Sequence, residues 1–413
     1  MILHGIIFKE LRVARTRSDI DQLEMDTGAT IAASVAAALT TVALVRRRAA
    51  AKPALELGQL GFGCWQLACT GSTGSNYWGV EYTDELAVEL IEKAIDAGVR
   101  YFDTAEDYQK GESEKQLGRV LQLLSPERRA KVVIGSKIPP NSCNDIEGHL
   151  DGTLARLQVD SIDLYMVHWP IDVNSMGHFA GGHASFGASA AVDEKDVPST
   201  AAAFAELARL QRRGKIGSVG VSNFGVGQLT EALATGCAIA VNEVSFSLLF
   251  RAAEFDVIPF CAAHGIKVVA YSPLLQGLLA GGAKSGDDVA VSRARSRHFA
   301  GTRANSRHGE AGHEALVFAT LAALRAIAGE LGVPLVHLAL AYPLRKGCST
   351  VLAGFTKTAY VAENAAGVAL AAALDDATLA RLDAATEKLK QAMGPNLDLW
   401  QGVVDSVMTG RVR

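Results

Sequence analysis

The stretch Val99-Arg-Tyr-Phe-Asp-Thr-Ala-Glu-Asp-Tyr108 decides how this chain is read. A short, mostly apolar run, Val99–Phe102, ends at an acid, Asp103, and a tyrosine, Tyr108, follows five residues later in the loop beyond it. The same layout recurs downstream: Val132–Gly135 precedes Lys137, and Leu164–Val167 precedes His168. Apolar runs of this length read as strands buried on both faces, the kind that parallel sheets use. When parallel strands alternate with helices, their C-terminal ends gather on one face of a barrel, and residues far apart in sequence converge there. An acid, a phenol, an amine and an imidazole brought together at that face form a proton-transfer device.

Working outward, the alternation continues from Leu57 to the C-terminal third. Leu57–Gly63 reads as a short hairpin or lid at the barrel mouth. Helical spacing of apolar residues covers Asp84–Ala97, closed by Gly98, and helix Ser113–Leu124 leads into strand Lys131–Gly135. Helix Ile146–Leu157 precedes strand Ile162–Val167, helix Thr200–Gln211 precedes strand Ile216–Val221, and helix Val226–Ala234 precedes strand Ala238–Val244. Helix Phe255–His264 leads to strand Lys267–Ala270, and the long helix His313–Leu331 to strand Thr350–Ala353 and helix Val361–Ala369. Seven or eight such units with no second core predict an α/β fold, one (β/α)8 TIM barrel over residues 53–413. Two connections, Pro170–Ser199 and Ser272–Gly312, are too long for simple turns and read as lids or binding loops.

Composition narrows the class further. A formal charge of −4 argues against a nucleic-acid partner, which needs a basic surface. Cys64, Cys69, Cys143, Cys237, Cys261 and Cys348 show no metal-ligand spacing, and reduced, buried thiols with no metal are the expectation. Residues 1–52 form an N-terminal extension unlike the rest. Thr27–Val45 carries no charge and is followed at once by Arg46, Arg47 and Arg48. Its length approaches the ~20 residues that span a bilayer, but its Ala, Thr and Val content makes insertion marginal. A weak membrane anchor, a targeting peptide and an ordinary extension all fit, which puts the chain on the cytoplasmic side of a membrane or in an organelle.

Four segments, taken in order, resemble the aldo-keto reductase family: Phe102-Asp-Thr-Ala-Glu-Asp-Tyr108 running on to Gly118, Asp163-Leu-Tyr-Met-Val-His168-Trp-Pro170, Gly220-Val-Ser-Asn-Phe224, and Tyr271-Ser-Pro-Leu-Leu-Gln-Gly-Leu-Leu279. With Gly354 and the Glu363-Asn364 pair, the likeness runs from about Gly61 to Asn364. The resemblance implies a (β/α)8 barrel that binds NADP(H) in an extended pose and reduces a small carbonyl substrate. The lack of a GxGxxG turn agrees with it. In this reading Tyr108 is the general acid, Lys137 brings its pKa toward working pH, Asp103 holds Lys137 charged, and His168 orients the carbonyl. Alone, each has a plainer role, as helix cap, solvated charge or packing ring; the combination carries the inference. By the same matching, Ser222, Asn223 and Glu243 would meet the carboxamide and Tyr271 would stack on the nicotinamide. Ser272, Leu274, Gln276 and Gly277 would line the pyrophosphate path, Gly354, Thr356 and Lys357 the 2′-phosphate, and Asn364 the adenine. Trp65 and Trp169 would wall the substrate site.

Three positions depart from the family pattern. Glu243 stands where relatives have Gln, and an anion there would favour the oxidised, cationic nicotinamide. Thr356 stands where many have Arg, leaving Lys357, helped by Arg303 or Arg307, to meet a phosphate. Gln109 replaces a common Gly and would put a longer side chain at the pocket rim. Two other functions use the same residues: a cofactor-binding regulatory subunit like the β subunits of potassium channels, and a Schiff-base enzyme acting through Lys137.

Overall fold

The computed structural model describes residues 55–67, 80–180, 191–304 and 306–400. The described residues belong to one unit, Ala54–Arg413, set apart from Met1–Pro53. Met1–Pro53, with the segment 27–45, lies outside the described residues, as do Cys69 and residues 181–190 of the first long connection.

Eight parallel strands close into a barrel in sequence order. They are β1 (Leu60–Gly63), β2 (Tyr101–Asp103), β3 (Val133–Ile138), β4 (Ile162–Val167), β5 (Ile216–Ser222), β6 (Ile239–Ser245), β7 (Lys267–Tyr271) and β8 (Thr350–Ala353). Closure comes from β1, which pairs with β2 on one side and β8 on the other. The hairpin expected at Leu57–Gly63 is therefore corrected: Leu60–Gly63 is the first barrel strand, and Leu57 belongs to the core inside the barrel. A Cβ at Gly61 would press on Leu352 and Tyr101, so a glycine, which sequence reading takes for a turn, is here a concession to packing.

The helices follow their local chemistry. Asp84–Asp96 starts at Thr83, whose side chain accepts from the Leu86 N–H, and carries Asp84 and Glu85 in its first turn. Its buried face is Ala87, Leu90, Ile91, Ala94 and Ile95, a helical stripe turned to the sheet. Asp145, Ser199 and Asp375 cap three further helices in the same way. Helices Leu335–Arg345 and Asp376–Met393 were not expected, nor was Val173–Ala180 within the first long connection. The first carries Pro343 inside it, which reads as a helix breaker in sequence. No single helix among the described residues is long and apolar enough to cross a membrane.

The period of two along each strand positions the site. Tyr101, Leu164, Met166, Val241, Val269 and Leu352 fill the barrel interior. Two residues beyond Tyr101, Met166, Val241 and Val269 come Asp103, His168, Glu243 and Tyr271, one step nearer the C-terminal mouth. Gly135 and Gly220 take the matching interior places on β3 and β5, and Lys137 and Ser222 follow them. The functional face is thus the next layer of a packed barrel. That layer tolerates little change. A Cβ at Gly135 would collide with the Tyr101 phenol, which donates to Asp103 Oδ1 at 3.0 Å. Gly135→Ala is expected to lower the unfolding free energy by about 1–3 kcal/mol, read from urea midpoints, as overpacking does elsewhere.

Candidate active site

Lys137 organises the site. Its strand runs on to Ile138, past the end expected at Gly135, and stops before Pro139 and Pro140. The ammonium is 0% exposed, so it needs compensation from every side. Lys137 Nζ lies 2.6 Å from Asp103 Oδ2, 3.0 Å from the Thr104 carbonyl, 3.2 Å from the Tyr108 hydroxyl and 3.4 Å from Glu243 Oε1. Two carboxyl groups therefore flank one cation. The three positions come from β2, β3 and β6, brought together only by closure of the barrel.

This crowding sets the protonation states. Burial pushes the Glu243 carboxyl up to about 8, and Asp103 beside it adds to the rise while Lys137 opposes it. Below that pH Glu243 is a neutral acid, with one oxygen that accepts and a hydroxyl that donates, and so imitates the amide it replaces. The expected free anion is corrected accordingly. Burial tends to lower the Lys137 ammonium, but the electrostatic pull of its neighbours, Asp103 first and then Glu243 and Tyr108, outweighs it and holds it well above the usual lysine range. Tyr108 also differs from expectation. Burial raises its phenol well above the usual range, and Lys137 offsets only part of that against Asp103 and Glu243. Tyr108 keeps its proton in the resting protein.

A stability prediction follows from Glu243. Its folded value of about 8 stands above the ~4.3 of a free glutamate, so the folded protein holds an extra proton between those limits. Stability therefore falls as pH rises through that window. Glu243→Gln removes the titration, and its urea midpoint should gain on wild type between about pH 5 and about pH 8, then run parallel above it.

His168, just past β4, turns Nδ1 to Asp107 Oδ1 at 2.9 Å. Burial works against the Asp107 carboxylate, but the charge and hydrogen bond of His168 prevail and hold it below its usual range. Asp107 was not singled out from sequence, although its place directly before Tyr108 was the available signal. The Tyr108 and His168 rings meet edge to face, with centroids 5.6 Å apart. Both line a cavity of about 710 Å³ at the C-terminal mouth.

Along one wall of this cavity lie Ser222, Asn223, Glu243 and Tyr271. Tyr271 donates to Asn223 Oδ1 at 2.8 Å, and Asn223 Nδ2 donates to the His168 carbonyl at 3.1 Å, which fixes the Tyr271 ring at the wall. Farther along come Ser272, Leu274, Gln276 and Gly277, then Gly354, Thr356 and Asn364. Trp65 and Trp169 line it as well. Lys357 does not: it is exposed, with Nζ 5.8 Å from the Tyr360 ring. Arg303 is bound to Glu314 at 2.6 Å outside the cavity. Gln109 is buried and is not among the lining residues, so the rim position expected for it is corrected. Its φ of 51° explains why glycine suits that place.

Backbone strain marks the same region. Among the described residues, the non-glycines with positive φ are Gln109, Lys110, Gln158, Asn223, Ser272, Leu275 and Gln276. All but Gln158 belong to turns that supply the cavity wall or the residues beside it, and strain of this kind gathers where a site must be shaped. The second long connection is anchored over the mouth. Arg297 donates to the carbonyls of Met393, Asn396 and Asp398, and His298 Nε2 lies 2.9 Å from the Leu249 carbonyl. Arg293, Arg295 and Arg307 from that connection, with His178 and Trp400, also line the cavity, as does Glu363; of the three arginines only Arg307 is expected from the sequence. Five described cysteines are free and buried, as expected.

Fold and cavity together define a TIM-barrel protein with a Tyr-Lys-Asp-His centre at its C-terminal mouth. The chain belongs to the Aldo/keto reductase family, whose profile matches residues 59–387. It is similar to an uncharacterized oxidoreductase of Mycobacterium tuberculosis, 32% identical over 231 residues, covering 55% of this chain and 61% of that one. It is also similar to the NADH-specific methylglyoxal reductase of Escherichia coli, 26% identical over 79% of this chain and 94% of that protein. The chain thus spans about 61% of the length of the Mycobacterium relative. Among solved structures, the glycerol dehydrogenase of Gluconobacter oxydans shares the fold, with a TM-score of 0.61, 23% identity, and coverage of 81% of this chain and 93% of that one. An aldo-keto reductase of Klebsiella pneumoniae in complex with NADPH also shares it, with a TM-score of 0.54, 23% identity, and coverage of 79% and 89%.

Proposed function

We propose that this protein reduces aldehydes or ketones to alcohols with NADPH, using Tyr108 as proton donor. The single observation that carries this reading is the Lys137 ammonium 3.2 Å from a protonated phenol that shares its cavity with His168.

The cavity suits an extended dinucleotide. It runs from Glu243 and Tyr271 to Gly354 and Asn364, and Glu243 Oε2, buried at its wall, has no hydrogen-bond partner among the described residues. A carboxamide placed there would satisfy that oxygen. Ser272, Gln276 and Gly277 would follow the phosphates and Asn364 would meet the adenine. Of the side chains expected for the 2′-phosphate, Thr356 and Arg307 line the cavity, and Lys357 would have to swing in from solvent. When bound, the reduced dinucleotide supplies the hydride.

The chain's own residues manage the proton. As negative charge builds on the carbonyl oxygen, Tyr108 passes its hydrogen to it, because an alkoxide is a stronger base than a phenolate. Lys137 steadies the phenolate as it forms, and Asp103 holds that ammonium in place. With Asp107 2.9 Å from Nδ1 of His168, the Nε2 edge is left to face the carbonyl oxygen and orient it. The same electrostatics disfavour a Schiff base at Lys137, since an amine held charged between two carboxyls is not a nucleophile.

The test uses the purified full-length chain, NADPH and a panel of aldehydes and ketones, following loss of the reduced-nicotinamide absorbance. Saturable, substrate-dependent oxidation is expected, with alcohol as product. Absence of turnover across the panel, with NADPH bound, would remove the reductase reading. Glu243 adds a pH signature to the same assay. At about pH 6 wild type and Glu243→Gln should discriminate NADPH from NADP⁺ alike, and at about pH 9 wild type alone should shift toward NADP⁺.

A further inference from the structure

We propose, on the footing of the reductase reading above, that Glu243 is a catalytic proton store: it recharges Tyr108 through Lys137 after the phenol has given its hydrogen to the carbonyl. The three groups form an unbroken line. Lys137 Nζ donates to the Tyr108 hydroxyl at 3.2 Å and lies 3.4 Å from Glu243 Oε1. Glu243 and Tyr108 border the cavity, while Lys137 between them is fully buried, so the path runs behind the cavity wall. The amide that relatives carry at this place would hold a carboxamide equally well, but it has no acidic proton to give.

The contacts say which carboxyl holds the proton. Asp103 accepts at both oxygens, from Tyr101 at 3.0 Å on Oδ1 and from Lys137 at 2.6 Å on Oδ2, and is the anion of the pair. Glu243 is buried, and its Oε2 has no hydrogen-bond partner among the described residues. The titratable groups around it are Asp103 and Tyr101 on β2, Tyr108 beyond that strand, Lys137 on β3 and Tyr271 on β7. The one cation in this set serves Asp103, so a second buried carboxyl keeps its proton, in accord with its value of about 8.

The step balances. Tyr108 loses its proton to the new alcohol and is left as a phenolate. Lys137 moves one proton to that oxygen and takes one from Glu243. Lys137 is an ammonium before and after, Tyr108 is a phenol again, and Glu243 ends as a carboxylate. The direction is downhill, since the Tyr108 phenol lies well above its ordinary ~10 and Glu243 at about 8. A positive charge on the oxidised nicotinamide beside Glu243 favours the carboxylate further. Long catalytic contacts such as the one to Glu243 tighten in the loaded site before a proton crosses them. Once the oxidised cofactor has left, water returns the missing proton to Glu243.

The experiment has two arms, both on the full-length protein at about pH 7, where Glu243 is protonated at rest. Infrared difference spectra compare the complexes with NADPH and with NADP⁺. A protonated-carboxyl C=O band is expected with NADPH and lost with NADP⁺, and Glu243→Gln should lack it in both. In the second arm a single turnover is followed in weak buffer by nicotinamide absorbance and a pH-indicator dye together. Wild type should take up its proton from solvent only as NADP⁺ leaves, whereas Glu243→Gln should take it up in step with hydride transfer. A carboxyl band that persists with NADP⁺, or wild-type uptake in step with hydride transfer, would overturn the proposal. So would wild type and variant taking up the proton at the same moment, which would make cavity water the source. Both readouts exist in wild type alone, so they stand even where the variant folds poorly. If no carbonyl turns over, the reductase reading fails separately, and the infrared arm still decides: a band lost with NADP⁺ supports the store, and a band kept refutes it.

Discussion

Tyr108→Phe should reduce kcat by about 10²–10⁴-fold, the range expected when a positioned general acid is removed. The ring stays, and with it the edge contact to His168 at 5.6 Å and the packing over Lys137, whose Nζ lies 4.9 Å from the ring centroid. Only the hydroxyl is lost. NADPH affinity should therefore hold, since the wall residues Ser222, Glu243 and Tyr271 are unchanged. Water at the mouth gives a weak substitute proton, so the residual rate should fall as pH rises more steeply than in wild type. A variant with near-normal kcat would mean that the proton comes from elsewhere, with His168 next in line.

The architecture was legible because the apolar runs and their polar ends repeat in register. Asp103, Lys137 and His168 each fall an even number of residues beyond an interior position, and that parity survives errors in strand ends. β1 was misread for a physical reason: Gly61 and Gly63 look like turn residues, yet the first makes room for Tyr101 and Leu352. The helix Leu335–Arg345 was missed because Pro343 sits in its last turns, where the ladder can tolerate it. Charge states were the least legible. Glu243 reads as an anion until closure of the barrel places it against Asp103, 140 positions away in sequence, and forces one of the two carboxyls to keep its proton. The arginines over the mouth were hidden for a related reason, since their loop's path depends on Arg297 and His298 finding partners near Asp398 and Leu249.

Lys137→Met should cost about 3–5 kcal/mol of folding stability at mildly alkaline pH, the cost typical of removing one partner from a buried ion pair. Methionine fills much of the same volume, so the loss is electrostatic. What remains is Asp103 facing Glu243 in a dry barrel, with no cation between them. Two carboxyls so placed can share one proton, and the variant should recover part of its stability as pH falls and the second carboxyl protonates. The sign follows from proton counting: both groups then titrate higher in the folded than in the unfolded chain, so stability declines as pH rises. Adding Asp103→Asn to Lys137→Met removes the repulsion and should return a measurable share of the loss, a non-additivity that a double-mutant cycle in urea would show. Simple additivity of the two substitutions would mean that the cluster is screened by water, and that Lys137 acts on Tyr108 alone. Activity of the double variant should stay low even where folding recovers, because the phenolate formed at Tyr108 would still lack its counter-charge. Stability and catalysis thus separate at one residue: the carboxyls need the ammonium in order to fold, and the phenol needs it in order to give up its proton.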